Sequence, residues 1–188
     1  MRNVMVIALV LMFVAGGCGG GDDEAVSVGS GQVPYDLAFI DAMVPHHREA
    51  IEMARAAKAR GLSQSDLDVM ADNIIASQQL EIDKMLEWRE EWFGSRVLGP
   101  ILPEVLGVPE KDLGMEHGSG EDIAGAIDVD ERFAQLMIPH HMGAIAMAEV
   151  ASERAQHAEL QQLAAAIIQA QEMEIEIMEK HASGEHHG

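Results

Sequence analysis

Residues 36–54 read DLAFIDAMVPHHREAIEMA, and residues 130–148 read DERFAQLMIPHHMGAIAMA. Shifted by 94 positions, Asp36, Phe39, Met43, Pro45, His46, His47, Ala50, Ile51, Met53 and Ala54 each fall on an identical residue. A second stretch repeats with a shift of 93. There IIASQQLEIDKM (74–85) matches IIQAQEMEIEIM (167–178), pairing Gln78, Glu81, Ile82 and Met85 with Gln171, Glu174, Ile175 and Met178. Each repeat therefore holds an HH-bearing segment and, about 30 residues on, a Q-x-x-E-I-x-x-M segment. Self-similarity on this scale sets the architecture before local propensity is consulted.

Each segment has a helical period. Phe39, Met43, His46, His47, Ala50, Ala54 and Ala57 share one stripe at 3–4 spacing, and Ile74, Gln78, Glu81, Ile82 and Met85 another. Gly61 is placed to end the first helix, and Ser63 with Asp66 to cap the next. No comparable punctuation stands between Arg154 and Leu160. Pro45 and Pro139 precede the paired His. Each either opens a helix or kinks a continuous one, and the kink, which frees the carbonyl four residues back, is the preferred reading. Residues 94–127 contain Pro100, Pro103, Pro109 and several Gly, which makes them a long crossover rather than a hairpin turn. The expectation is an all-α protein. Two helical hairpins (35–93 and 128–182) joined by that crossover form a four-helix bundle of ferritin-like type over 35–182, with a disordered tail at 183–188.

The N-terminus carries Arg2, an apolar run from Val4 to Val14, then Ala15-Gly16-Gly17-Cys18. That run is shorter than the roughly 20 residues a membrane span needs, and its flanks read as a secretory signal peptide over 1–17. Small residues before Cys18 and a Gly/Asp stretch after it resemble a bacterial lipobox, although Ala15 stands where Leu is commonest. Ordinary signal cleavage that leaves a free thiol is the alternative. Lipidation of Cys18 would supply a two-chain anchor, with 18–34 as a flexible tether. The expected location is exported and membrane-anchored, in the periplasm or on the outer cell surface.

Of 188 residues 48% are apolar but only 4% aromatic, and 12 Lys plus Arg face 32 Asp plus Glu, for a net charge of −20. Such a surface excludes nucleic acid and any anionic lipid face beyond the anchor, and it attracts cations. One Cys allows neither an internal disulfide nor a Cys-based metal site. No Ser/His/Asp triad, phosphate-cradling loop or paired catalytic carboxylates can be argued, so an enzyme is not expected.

What the repeat does concentrate is soft ligands. Met43, His46, His47 and Met53 recur as Met137, His140, His141 and Met147, at spacings that place Met and at least one His on one helix face. Thioether with imidazole suits Cu(I), while imidazole alone also suits Cu(II), Zn or Ni. Gln78, Glu81, Gln171 and Glu174 are placed to orient the imidazoles from behind and fix which ring nitrogen is free, with direct ligation by Glu the second choice. A carboxylate-bridged di-iron site needs Glu three residues before the His. Met43, Val44, Met137 and Ile138 stand there instead.

The same residues have a plainer reading. Met at helical spacing fills cores, inward His is usually hydrogen-bonded, duplication copies structural residues as faithfully as functional ones, and Gln78 and Glu81 can satisfy each other or a kink carbonyl. Trp88 and Trp92 read as packing at the bundle end. Met142, with Arg48 opposite it, is not read as a ligand. His181, His186, His187 and the Met115-x-His117 step can bind metal only loosely.

At MVPHHREAIEMA and MIPHHMGAIAMA, each followed by Q-x-x-E-I-x-x-M, the chain resembles the ferritin-like domain family of unknown function numbered 305, over about residues 35–182. The resemblance implies an exported four-helix bundle, with copper binding and copper tolerance in some members. It marks His46, His47, Met43, Met53, His140, His141, Met137 and Met147 as the positions to suspect. One departure is His181, where many members repeat the Trp seen at Trp88. The leading expectation is a tethered extracytoplasmic copper-binding module that sequesters or delivers copper without turnover. Behind it stand a structural or partner-binding bundle whose HH motif stabilises the kink, then a ferritin-like metal oxidase. A homo-oligomer or a protein partner stays open.

Overall fold

Pro45 and Pro139 resolve in favour of continuous helices. In the computed structural model Tyr35–Arg60 forms α1 with Pro45 inside it, and Val129–Arg154 forms its counterpart α5 with Pro139 inside it. The described residues are 33–116 and 118–182. The signal peptide, Cys18, all but the last two residues of the tether, His117, His186, His187 and the tail lie outside them.

The other two long helices are α2 (Ser65–Phe93) and α6 (Ala158–Met178). α1 packs on α2 and α5 packs on α6, so each repeat is a helical hairpin, and α1 lies against α5 to join them. The crossover is built rather than loose. It holds the short helices α3 (Pro103–Leu106) and α4 (Gly120–Ala124), with a 3-10 turn at Glu110–Asp112 between them. No strand occurs among the described residues, and no helix there is long and apolar enough to cross a membrane. The protein is all-α, with four long helices packed together.

Gly61 ends α1 with φ +89°, a conformation that costs an L side chain strain. The start of α2 corrects the sequence expectation. Its N-cap is Gln64, whose side chain makes no cap bond, and Asp66 accepts only from its neighbour Leu67 N. Instead Asp130, from the other repeat, accepts bonds from Ser63 N, Ser63 Oγ and Gln64 N. Its equivalent Asp36 does the same for α6, accepting from Gln156 N and His157 N. Each repeat thus caps the second helix of the other. The missing punctuation between Arg154 and Leu160 is supplied by a carboxylate some 120 residues away in sequence.

Both carboxylates are buried, so truncating either strands backbone donors. Asp36→Ala and Asp130→Ala are each expected to cost about 2 kcal/mol. Urea unfolding checks this, and a midpoint unchanged in either variant would show that the cap is not needed.

The core divides in two. One cluster takes Ala38, Phe39, Ile40, Ala42, Met43, Val44 and Ile51 of α1 with Ala144, Met147, Ala148 and Ala151 of α5. The other takes Ala50, Met53, Ala54 and Ala57 of α1 with Val129, Phe133, Ala134, Leu136 and Met137 of α5. On α5 the paired His fall between the two clusters, and on α1 they lie just before the clusters meet at Ala50 and Ile51.

Candidate metal centre

Period and pairing together bury all four histidines: His46 and His47 from α1, His140 and His141 from α5. The repeats bring them into one group. The rings of His46 and His140 lie with centroids 3.7 Å apart, tilted by 37°, and each is 6.4 Å from the ring of its chain neighbour.

Second-helix carboxylates hold the outer pair. Nε2 of His47 lies 2.7 Å from Glu81 Oε2, and Nε2 of His141 lies 2.7 Å from Glu174 Oε2. His46 Nε2 donates to the carbonyl of Leu113 in the crossover at 3.0 Å. A neutral ring that donates through Nε2 keeps its lone pair on Nδ1. The Nδ1 atoms of His46, His47 and His141 are buried and have no hydrogen-bond partner among the described residues. Buried polar atoms in that state are rare and call for an explanation.

Burial first, and then the charge that His140, His47 and His141 would add, hold His46 well below the ordinary histidine value of 6.5. The unfolded chain takes up a proton there that the folded chain refuses. The stability His46 contributes is therefore complete above pH 6.5 and is lost as pH falls from that value toward the folded pKa. In metal-free protein the expected loss is about 1.4 kcal/mol per pH unit relative to His46→Gln. Urea titrations below pH 6.5 measure it, and parallel slopes for the two proteins would contradict it.

The crossover seals one side. Leu113 and Gly114 lie on α5 at Gly143, backbone against backbone. A Cβ on Gly143 would overlap the Leu113 carbonyl and come within 2.6 Å of Gly114 N. Gly114 itself, at φ +78°, leaves no room either, since a Cβ there would meet Pro139 O at 2.7 Å and His140 O at 2.9 Å. Nearby, Glu49 Oε2 lies 3.7 Å from His140 Nε2. Burial pushes the Glu49 carboxyl above its usual value. Glu49 also lines a cavity of about 360 Å³ with Glu52, Met115, Glu116 and Asp122.

The methionines are regrouped. Met43, Met53, Met137 and Met147 are all buried, but Met43 shares a core cluster with Met147, and Met53 with Met137. Of these four, each cluster thus holds one thioether from each repeat, beside Met85 in the first cluster and Met70 and Met178 in the second. Among the described residues no three His, Cys, Asp or Glu side chains form a metal-holding group. Imidazole Nδ1 and thioether sulfur, both buried on α1 and α5, are donors that suit a soft ion rather than a hard one.

Gln78 and Gln171 are buried, and their Oε1 atoms have no partner among the described residues. No hydrogen bond joins Gln78 to Glu81, whose Oε2 lies against His47 Nε2 instead, so the plainer expectation that the two satisfy each other is corrected. His181 stands apart, its Nε2 3.0 Å from Asp66. Met142 is exposed. Trp92 stacks on Trp88 and, at 3.6 Å, on His157, which is itself held by Asp36.

Sequence reasoning missed Leu113, Glu49 and Gly143. The signal was where the repeat breaks: Arg48-Glu49 faces Met142-Gly143 at the shift of 94. The crossover covers only one side of a nearly symmetric pair, and there the copies had to diverge.

The sequence profile of DUF305, a domain of unknown function, matches residues 36–182. No curated protein matches the chain. Among solved structures, CopM in its Cu(II)-bound form is similar at TM-score 0.65 and 32% identity, covering 79% of this chain and 96% of that one. CopM in its Cu(I)-bound form gives 0.61 and 32%, covering 77% and 93%. A DUF305 fragment from Deinococcus radiodurans gives 0.64 and 27%, covering 79% and 95%. A profile that spans both repeats, together with these folds, assigns the family: the chain belongs to DUF305.

Proposed function

We propose that the protein binds copper, Cu(I) first, at the histidine quartet with the buried methionines, and sequesters or delivers it without turnover. The single observation that carries this reading is the set of buried, unpartnered Nδ1 atoms on His46, His47 and His141, imidazole donors that thioether sulfur must complete, since no three His, Cys, Asp or Glu side chains form a metal-holding group among the described residues. Glu81 and Glu174 orient His47 and His141 from behind, as carboxylates orient metal-binding imidazoles elsewhere. Similarity to CopM, solved with Cu(I) and with Cu(II), supports copper as the cargo. The acidic cavity beside Glu49 gives a cation its approach. Export and a lipid anchor at Cys18 belong to the same reading and rest on the N-terminal sequence.

Glu81→Gln and Glu174→Gln keep an acceptor for the ring but remove its charge. Each is expected to weaken Cu(I) binding about tenfold or more while circular dichroism stays unchanged. Competition against a chromogenic Cu(I) chelator reads the effect. Wild-type affinity in the double variant would remove the carboxylates from the site.

A second reading has its own observation. The stack of His46 on His140 and the bond to Leu113 tie α1, α5 and the crossover together without any ion. On that reading the quartet is a structural polar core, and its loss lowers metal-free stability while copper binding was never tight.

A further inference from the structure

The four long helices do not pack evenly. α1 on α2 and α5 on α6 are closely fitted, but α2 and α6 meet only lightly. Between them lies a groove of about 590 Å³ whose lining includes Val69 and Met70 of α2 and Met173 and Ile177 of α6. Val69 is 59% exposed and Met173 55%. Scattered exposed apolar residues need no explanation, but two on facing helices of one apolar groove form a contiguous patch.

The charge around the groove is mainly negative. Ser65–Asn73 carries Asp66, Asp68 and Asp72 with no Lys or Arg, and residues 170–179 carry four Glu with no Lys or Arg. Lys58 offsets Asp68 and Asp72 at 2.8 Å each, so the α6 side is the more acidic. One of its carboxylates, Glu174, lines the groove and is also the group 2.7 Å from His141 Nε2.

We propose that this groove docks a short cationic amphipathic helix of a protein partner. Its apolar stripe lies on Val69, Met70, Met173 and Ile177, and a Lys or Arg reaches Glu174. A cleft between two long helices accepts a third by interdigitation of side chains. The acidic rim selects the sign of the partner's charge and rejects a second copy of a chain with net charge −20. A basic side chain at Glu174 competes for the carboxylate that holds His141, so docking and the histidine quartet are linked. That link rests on the contact between Glu174 and His141, and only its bearing on copper rests on the quartet being the metal site.

The test uses the full metal-free chain and a labelled Leu/Lys helical peptide of about four turns, beside a peptide of the same composition scrambled to lose its apolar stripe. Fluorescence anisotropy is expected to show binding of the striped peptide that weakens about tenfold in Met173→Glu and in Val69→Glu. Equal binding of the scrambled peptide, or no effect of Met173→Glu, would overturn the docking and leave only attraction between opposite charges. The imidazole NMR resonances of His141 are expected to shift on binding, and resonances that stay put would overturn the link to the quartet. With no metal present, failure here is separable from failure of copper binding.

Discussion

Gly143→Ala is expected to destabilise the protein by about 3 kcal/mol, a fall in melting temperature of about 10 °C for a domain of this size. The cost is large because the added methyl meets backbone and not a side chain that can rotate away. Leu113 and Gly114 are the neighbours, and Gly114 is itself pinned between its positive φ and the carbonyls of Pro139 and His140. Relief requires the crossover to lift, which also takes the Leu113 carbonyl away from His46 Nε2. A buried donor is then stranded, adding to the steric cost. Gly125→Ala is the control. A Cβ there meets nothing nearer than Glu121 O at 3.6 Å, and stability is expected to stay within about 0.5 kcal/mol. Calorimetry on both variants decides it, and a Gly143→Ala protein as stable as Gly125→Ala would show that the crossover does not bear on α5 as described.

That contact also marks where the sequence stopped being legible. The four helices were readable because the repeat places the same apolar stripe twice, and periodicity is a local signal. The recurrence of His46 and His47 as His140 and His141 was readable for the same reason, but the 3.7 Å approach of His46 to His140 was not. What lay beyond reach were contacts that cross between repeats. Asp36 caps α6 and Asp130 caps α2, and neither helix start carries its own signal for this. The methionine pairing was hidden similarly. Within one segment Met43 and Met53 look like one ligand set, yet the packing of α1 along α5 puts Met43 with Met147. The crossover was read as a long connection, whereas its Leu113 carbonyl reaches the quartet through a bond spanning 67 positions. Such a contact leaves no periodic trace.

The quartet is where the second large effect is expected. His47 and His141 have their Nε2 atoms engaged by carboxylates, His46 has its Nε2 engaged by a carbonyl, and all three leave Nδ1 buried. If those lone pairs are the donors, removing the rings removes nitrogen from the site altogether, and thioether sulfur alone must hold the ion. Changing His46, His47, His140 and His141 to Ala is therefore expected to weaken Cu(I) binding by about a thousandfold or more. Four buried truncations also leave cavities, so His47→Gln with His141→Gln serves as the milder partner variant. It retains bulk and polarity but offers no imidazole.

The most direct test is the affinity and stoichiometry of Cu(I) on the full chain, by competition with a chelator, in wild type and in both variants, with circular dichroism confirming helix in each. Tight binding by the wild type, lost in variants that remain helical, is the predicted result. Weak binding by the wild type, or equal affinity in all three proteins, would contradict the metal site and leave the histidines as the structural link between α1, α5 and the crossover.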